Sequence, residues 1–267
     1  MADPLAVLRF TQFFDHEKAA VSFACPAVVL GGPGFAVEVR VFLPAGYDNA
    51  APDVGVMLYT TFRYEKDQPA GAPLPFNVPA LEIMRNLIHR GELPMMIGVW
   101  TSVGPTLFGE DYMQMVMERL VPQLRARYSR LSSDAQKWGI AGNEQAGATA
   151  FDLAWSQSDL FGRVLIDSGD IRCGRPLVAG TDYPAVVKAA SLKKLVISMN
   201  LGVCTETCDI PRCEVTRKAA NFAFAEALQS RGYRFRLLFE NAPENESFWR
   251  RHFADSMRFL WRDRICD

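Results

Sequence analysis

The sequence predicts an α/β fold, a mostly parallel central sheet covered by helices on both faces, and three observations carry it. From Val54 to the end of the chain, short apolar runs alternate with amphipathic stretches of helical period, the pattern of parallel strands joined by crossover helices. Two of those runs, Val54–Thr61 and Met95–Trp100, are almost continuously apolar, which suits strands buried on both faces. The stretch Lys137–Ala150, KWGIAGNEQAGATA, drives an apolar run into a small-residue turn and then into an alanine-rich helix.

At 267 residues and 49% hydrophobic content the chain can bury one sizeable core, and a single domain over residues 1–267, with 1–19 as an N-terminal extension, is the simplest reading. Net charge is −1 with both signs interspersed, which points away from nucleic acid. The N-terminus has no basic segment followed by an apolar run, and no stretch reaches the length of a membrane span. The expectation is a cytoplasmic protein that takes a small molecule, with neither nucleic acid nor membrane as partner and a homodimer left open.

Taken in order, Ala20–Leu30 and Phe35–Pro44 flank Gly31-Gly32-Pro33-Gly34 and read as an antiparallel hairpin at a sheet edge. The second arm alternates Val37, Val39 and Val41 with Glu38, Arg40 and Phe42, as a half-buried strand does. After the strand Val54–Thr61, a helix is expected from about Val78 to His89, stopped by Gly91, and then the strand Met95–Trp100. Gly109–Tyr128 reads as a long amphipathic helix in which Pro122 should make a kink or mark an early turn. Trp138–Ala141 leads to a helix ending near Ser156. Further strands are expected at Arg163–Asp167, Leu195–Asn200 and Phe235–Phe239, and helices at Glu214–Ser230 and Ser247–Trp261.

The turn Gly142-Asn143-Glu144-Gln145-Ala146-Gly147 has the layout of a nucleophile elbow, in which a strand enters a sharp turn and the apex side chain stands above the sheet at a helix N-terminus. Around it lie VRVFLPAGYD, FNVPALEIMRNLIHRGELPMMIGV, GEDYMQMVMERLVPQLRARY, WGIAGNEQAGATAFDLAWSQSDLFGRVLIDSGD and ENESFWRRHFADSMRFLW. In that order and spacing, from about Val37 to Trp261, the chain resembles the esterase D and enterochelin-esterase group of α/β-hydrolases. The resemblance implies an α/β-hydrolase-like three-layer sandwich whose mostly parallel sheet has an antiparallel N-terminal hairpin edge.

Carried over by that resemblance, the family's nucleophilic serine falls on Glu144 and its catalytic histidine on Glu244. The acidic partner falls among Cys204, Thr205 and Glu206, of which Glu206 alone is a carboxylate. Without a hydroxyl at the apex and an imidazole to take its proton, ordinary serine esterase activity is not expected. The chain has three histidines, and His252 reads as a surface or helix-packing residue. Two function classes remain. Glu144 and Glu244, with Glu206, can serve as acid, base or nucleophile on a small organic, secondary-metabolite-like intermediate; or the fold is a non-catalytic pseudo-esterase that binds a ligand or partner. Thr61, Phe62, Arg63 and Trp100 at the ends of central strands, with Gln145 and Cys204, are the candidate substrate-binding residues, Arg63 for an anionic group.

No phosphate loop or dinucleotide fingerprint is present, and no cofactor is expected. Cys204, Cys208 and Cys213 are spaced C-x3-C-x4-C after a strand end. A metal ion there is a minority alternative to a local disulfide or to small buried hydrophobes. Met113, Met115 and Met117 read as core filler.

Overall fold

The computed structural model describes residues 9–14, 28–29, 36–47, 53–62, 77–103, 109–169, 171, 182–203 and 211–264. The described strands are β1 (Arg9–Phe14), β2 (Val28–Val29), β3 (Ala36–Leu43), β4 (Gly55–Phe62), β5 (Met96–Val103), β6 (Trp138–Asn143), β7 (Arg163–Asp167), β8 (Val196–Val203) and β9 (Arg234–Pro243). They form one sheet in the order β1-β3-β5-β4-β6-β7-β8-β9, with β2 paired to β3. From β5 to β9 every pairing is parallel, while β3 runs antiparallel to both β5 and β2. The described helices are α1 (Asn77–His89), α2 (Gly109–Met115), α3 (Val121–Arg127), α4 (Glu144–Ser156), α5 (Tyr183–Ala189), α6 (Pro211–Ser230) and α7 (Glu246–Trp261). None of them is long and apolar enough to cross a membrane.

The continuously apolar strands are buried on both faces, as their composition requires. Val56 and Leu58 of β4 face a core built with α2 to α6, whereas Met57 and Tyr59 face a second core built with α1 and α7. The three-layer sandwich is thus a direct product of period-two alternation within strands that carry no polar face. β3 departs from its half-buried expectation: Val39 and Val41 enter the first core and Phe42 the second. Its neighbours β1 and β5 cover both of its edges.

Three local readings change. Arg9–Phe14, expected within the N-terminal extension, pairs in parallel with β3 as the edge strand. Tyr183–Ala189 forms a helix the periodicity did not announce, yet its start carries the usual signal. Asp182 caps it by accepting from the Ala185 N–H at 3.1 Å, with Pro184 in the first turn. At Pro122 the chain does not break. Between α2 and α3 it widens into a π turn, Val116–Leu120, closed by Val121 N–H donating to Val116 O. The wider turn accommodates a proline ring that lacks its own N–H.

The junction of β6 and α4 is the tightest in the molecule's centre. A Cβ on Gly142 would land on the Ala146 carbonyl and 2.8 Å from the Gly147 nitrogen. One on Gly147 would sit 3.1 Å from Gly142 O and 3.2 Å from the Gly169 Cα. The helix therefore crosses directly over the strand it leaves, and only glycine permits that approach. Gly142→Ala is expected to lower unfolding free energy by about 3 kcal/mol, read by urea denaturation. Wild-type stability in that variant would contradict the crossing.

Candidate active site

Glu144 occupies the apex of this turn with φ 50, one of three non-glycine residues of positive φ among those described. Left-handed backbone costs a non-glycine residue about 1–2 kcal/mol, and such strain persists where the surroundings over-determine it, often at functional sites. Asn143 before it is extended (φ −111, ψ 150) and makes no side-chain cap. Glu144 is half-buried and opens the 13-residue α4, where unpaired N–H groups and the helix dipole favour an anion. Gln145 follows it in the first turn, also half-buried.

Glu244 is placed differently. It lies just beyond β9, with Oε1 accepting from the Gly202 N–H at 2.8 Å and Oε2 paired with Arg217 Nη1 of α6 at 2.5 Å. Both side chains are under a tenth exposed. This carboxylate is an anchor between the end of β8, the β9–α7 turn and α6, and each of its oxygens is engaged. His252 is likewise occupied: its Nε2 meets Glu240 Oε2 at 2.5 Å, and its ring edge packs on Phe248. The hydrogen bond from His252 holds the Glu240 carboxyl below its ordinary range. That is the helix-packing role expected of His252.

Trp100, expected at a pocket wall, is 4% exposed and stacked flat on Tyr59, with ring centroids 4.6 Å apart, in the α1/α7 core. Its strand position explains the correction, because Trp100 shares the inward face with Tyr59, its register partner. Thr61 and Phe62 close β4 at the same end of the sheet as the elbow. Arg63, Cys204, Glu206 and Cys208 lie outside the described residues, and Cys213 falls in the first turn of α6. Among the described residues no three His, Cys, Asp or Glu side chains gather as a metal-holding group.

The arrangement also contains residues that sequence reasoning missed. Asp167 ends β7 directly beside Asn143 in register, and Asn200 of β8 lies beside Asp167 in turn. Asn200 Nδ2 donates to Asp167 Oδ1 and, at 2.9 Å, to Ser256 Oγ of α7. Arg236 Nη2 of β9 donates to the same Ser256 oxygen at 2.8 Å. Burial pushes the Asp167 carboxyl up to about 7, opposed by the Asn200 bond and the Arg236 charge and reinforced by Glu244. Ser168 follows at φ 53, its N–H donating to Asn200 O at 2.7 Å and its Oγ accepting from Trp249 Nε1 at 3.2 Å. Arg217 and Asn221 of α6 clasp the same turn through Ser168 O and Gly169 O. In sequence, Asp167 looks like an ordinary polar residue closing an apolar strand. Its position on the strand next to the elbow strand was the available signal.

No family model and no curated protein matches the chain. Solved structures do. A ferulic acid esterase aligns over 85% of this chain and 93% of its own, with a TM-score of 0.64 and 18% identity. The ferric enterobactin esterase of Salmonella typhimurium aligns over 87% of this chain with a TM-score of 0.64 and 19% identity, and the chain spans 56% of that protein's length. A feruloyl esterase module from Clostridium thermocellum, in complex with sinapinate, aligns over 83% and 82% with a TM-score of 0.60 and 15% identity. The chain has an esterase-like α/β-hydrolase fold. At these identities the likeness extends to the fold alone.

Removing one partner of a buried ion pair strands the other charge, which typically costs 3–5 kcal/mol. Glu244→Gln is therefore expected to destabilise the protein by about 3 kcal/mol in urea denaturation, and Glu244→Met combined with Arg217→Met to recover most of that loss. Additive losses in the double variant would contradict the anchoring role.

Proposed function

We propose that this protein is a repurposed esterase-fold enzyme in which Glu144 stands where a serine nucleophile would, and that it performs carboxylate chemistry on a small organic, secondary-metabolite-like intermediate. The observation that supports this most is the apex itself: a half-buried carboxylate held at φ 50 at the N-terminus of α4. A carboxylate at this position suits a general base or a nucleophile, and such chemistry requires no cofactor. Glu244 stands where the histidine would be, and its pairing with Arg217 assigns it to holding the site's frame. Glu206, Thr61, Phe62, Arg63, Gln145 and Cys204 stay as proposed contributors at the same end of the sheet.

A second reading, a non-catalytic pseudo-esterase that binds a ligand, is favoured by one specific feature. Glu244 and His252, the two groups nearest in role to the family's histidine, are both engaged, Glu244 in an ion pair with Arg217 and His252 in a hydrogen bond with Glu240.

The two readings separate by experiment. A fluorophosphonate probe and p-nitrophenyl esters should give neither serine labelling nor turnover above background. Once a substrate is found by screening small acyl and carboxylate compounds, Glu144→Gln should lower kcat by about two to four orders of magnitude, the range of general acid–base catalysis. Ligand affinity should change far less. Binding without turnover in the wild type would establish the second reading, and serine labelling would overturn both.

A further inference from the structure

Three adjacent parallel strands carry polar residues at one level, where β6 and β7 end and β8 continues to Val203. Asn143 of β6, Asp167 of β7 and Asn200 of β8 are register partners, so their side chains project from the same face of the sheet. That is the face covered by α7, where Asn200 reaches Ser256. On one side Asp167 is satisfied, since its Oδ1 accepts from Asn200 Nδ2. On the other side stands Asn143, whose Oδ1 is buried and has no hydrogen-bond partner among the described residues.

Asn143 and Asp167 are register partners on strands whose backbones run about 4.8 Å apart, and an amide oxygen and an ionised carboxyl oxygen are both acceptors. A buried acceptor without a donor costs about 1–3 kcal/mol. A single proton on the carboxyl satisfies both. We propose that Asp167 is a positioning residue that carries a proton and donates it to Asn143 Oδ1, so fixing the residue that leads directly into the Glu144 apex. In its relevance to chemistry this rests on the reading of Glu144 as the working group.

The surroundings of Asp167 favour the protonated form. Desolvation is the largest effect on its carboxyl and raises it to about 7. The Asn200 hydrogen bond and, after it, Arg236 from β9 oppose the rise, and Glu244 beyond β9 adds to it. Arg217 of α6 reaches the neighbouring Ser168 carbonyl but is paired with Glu244. From β4, Tyr59 feels the Asp167 charge and is itself raised well above its ordinary value, chiefly by burial. α7 contributes the neutral Ser256, while its Asp255 acts on Arg236. Glu144, at the start of α4, lies one residue beyond Asn143. Below its folded value Asp167 holds the Asn143 oxygen. Above it, two acceptors are left opposed and the lead into the apex loosens.

The test reads the Asp167 carboxyl directly, by carbon-13 NMR titration of the full chain with labelled aspartate, assigned by its loss in Asp167→Asn. If the proton is shared, Asn143→Leu removes a hydrogen bond from the neutral form and lowers the midpoint by about one unit. A raised midpoint would mean that Asn143 donates to the ionised carboxylate, and an unchanged one that the two do not interact. Either result overturns the proposal, and a merely structural role would leave the midpoint alone.

Asp167→Asn gives an independent check should Asn143→Leu not fold, because its amide supplies the donor at every pH. With a folded value above the unfolded 3.8, Asp167 binds more protons in the folded state, so wild-type stability falls as pH rises from about 4 through about 7. In Asp167→Asn that fall should be absent; a wild-type slope in the variant would overturn the proposal. Failure of the catalytic reading appears elsewhere, as turnover that survives Glu144→Gln.

Discussion

The crossing of α4 over the end of β6 is the constraint on which the remaining architecture depends. Gly142 lies under the Ala146 carbonyl, and Gly147 lies against both Gly142 and Gly169. Strand, helix and the neighbouring β7 turn are thereby locked at van der Waals distance. Beside that lock β6 and β7 end at paired residues, Asn143 and Asp167, and the apex residue Glu144 follows in left-handed backbone. α4 can lie so close because its first turns bury small residues, Ala146, Gly147, Ala148 and Ala150, with the larger Phe151 and Leu153 following. Packing in the first core and geometry at the site are one problem with one solution.

Around that lock the molecule arranges charge in two tiers. Within the frame, anions are matched: Glu244 by Arg217 and a backbone N–H, Glu240 by His252 and Arg251. These pairs tie α6 and α7 to the ends of β8 and β9 and leave little for chemistry, since charges so engaged hold structure rather than exchange protons. At the sheet's carboxyl end the balance differs. Asp167 is buried among neutral amides and hydroxyls, with Arg236 sharing the same Ser256 and Asn200 oxygens. Open α/β folds place their reactions at this edge of the sheet. Here it holds a half-buried carboxylate at the helix N-terminus and a buried carboxyl near neutrality.

The layered fold was readable because its signals are local. Continuous apolar runs mark β4 and β5, and GNEQAG marks the elbow without any knowledge of what lies around it. Pro122 marked a first turn, that of α3, but the π turn Val116–Leu120 before it is a solution that propensity does not disclose. Trp100 was misplaced because strand position indicates which end a residue occupies but not which face the next layer covers. Glu244 could be aligned with a catalytic position, yet its partner Arg217 lies 27 residues earlier, in a helix whose docking is a tertiary event. Asp167, Asn200, Arg236 and Ser256 come from four separate elements. Each looks unremarkable in its own segment, and only the register brings them together.

The proposed function requires Glu144 to be a reactive carboxylate at the apex of the β6–α4 turn. An epoxide bearing an aryl group tests it without knowledge of the substrate: a nucleophilic carboxylate oxygen opens the ring, forming an ester, and the released alkoxide takes a proton from water. Peptide mass spectrometry after limited exposure is expected to find one equivalent of ester, on Glu144, and none in Glu144→Gln. Ester spread evenly over exposed carboxylates, with Glu144 unmodified in folded protein, would contradict the claim.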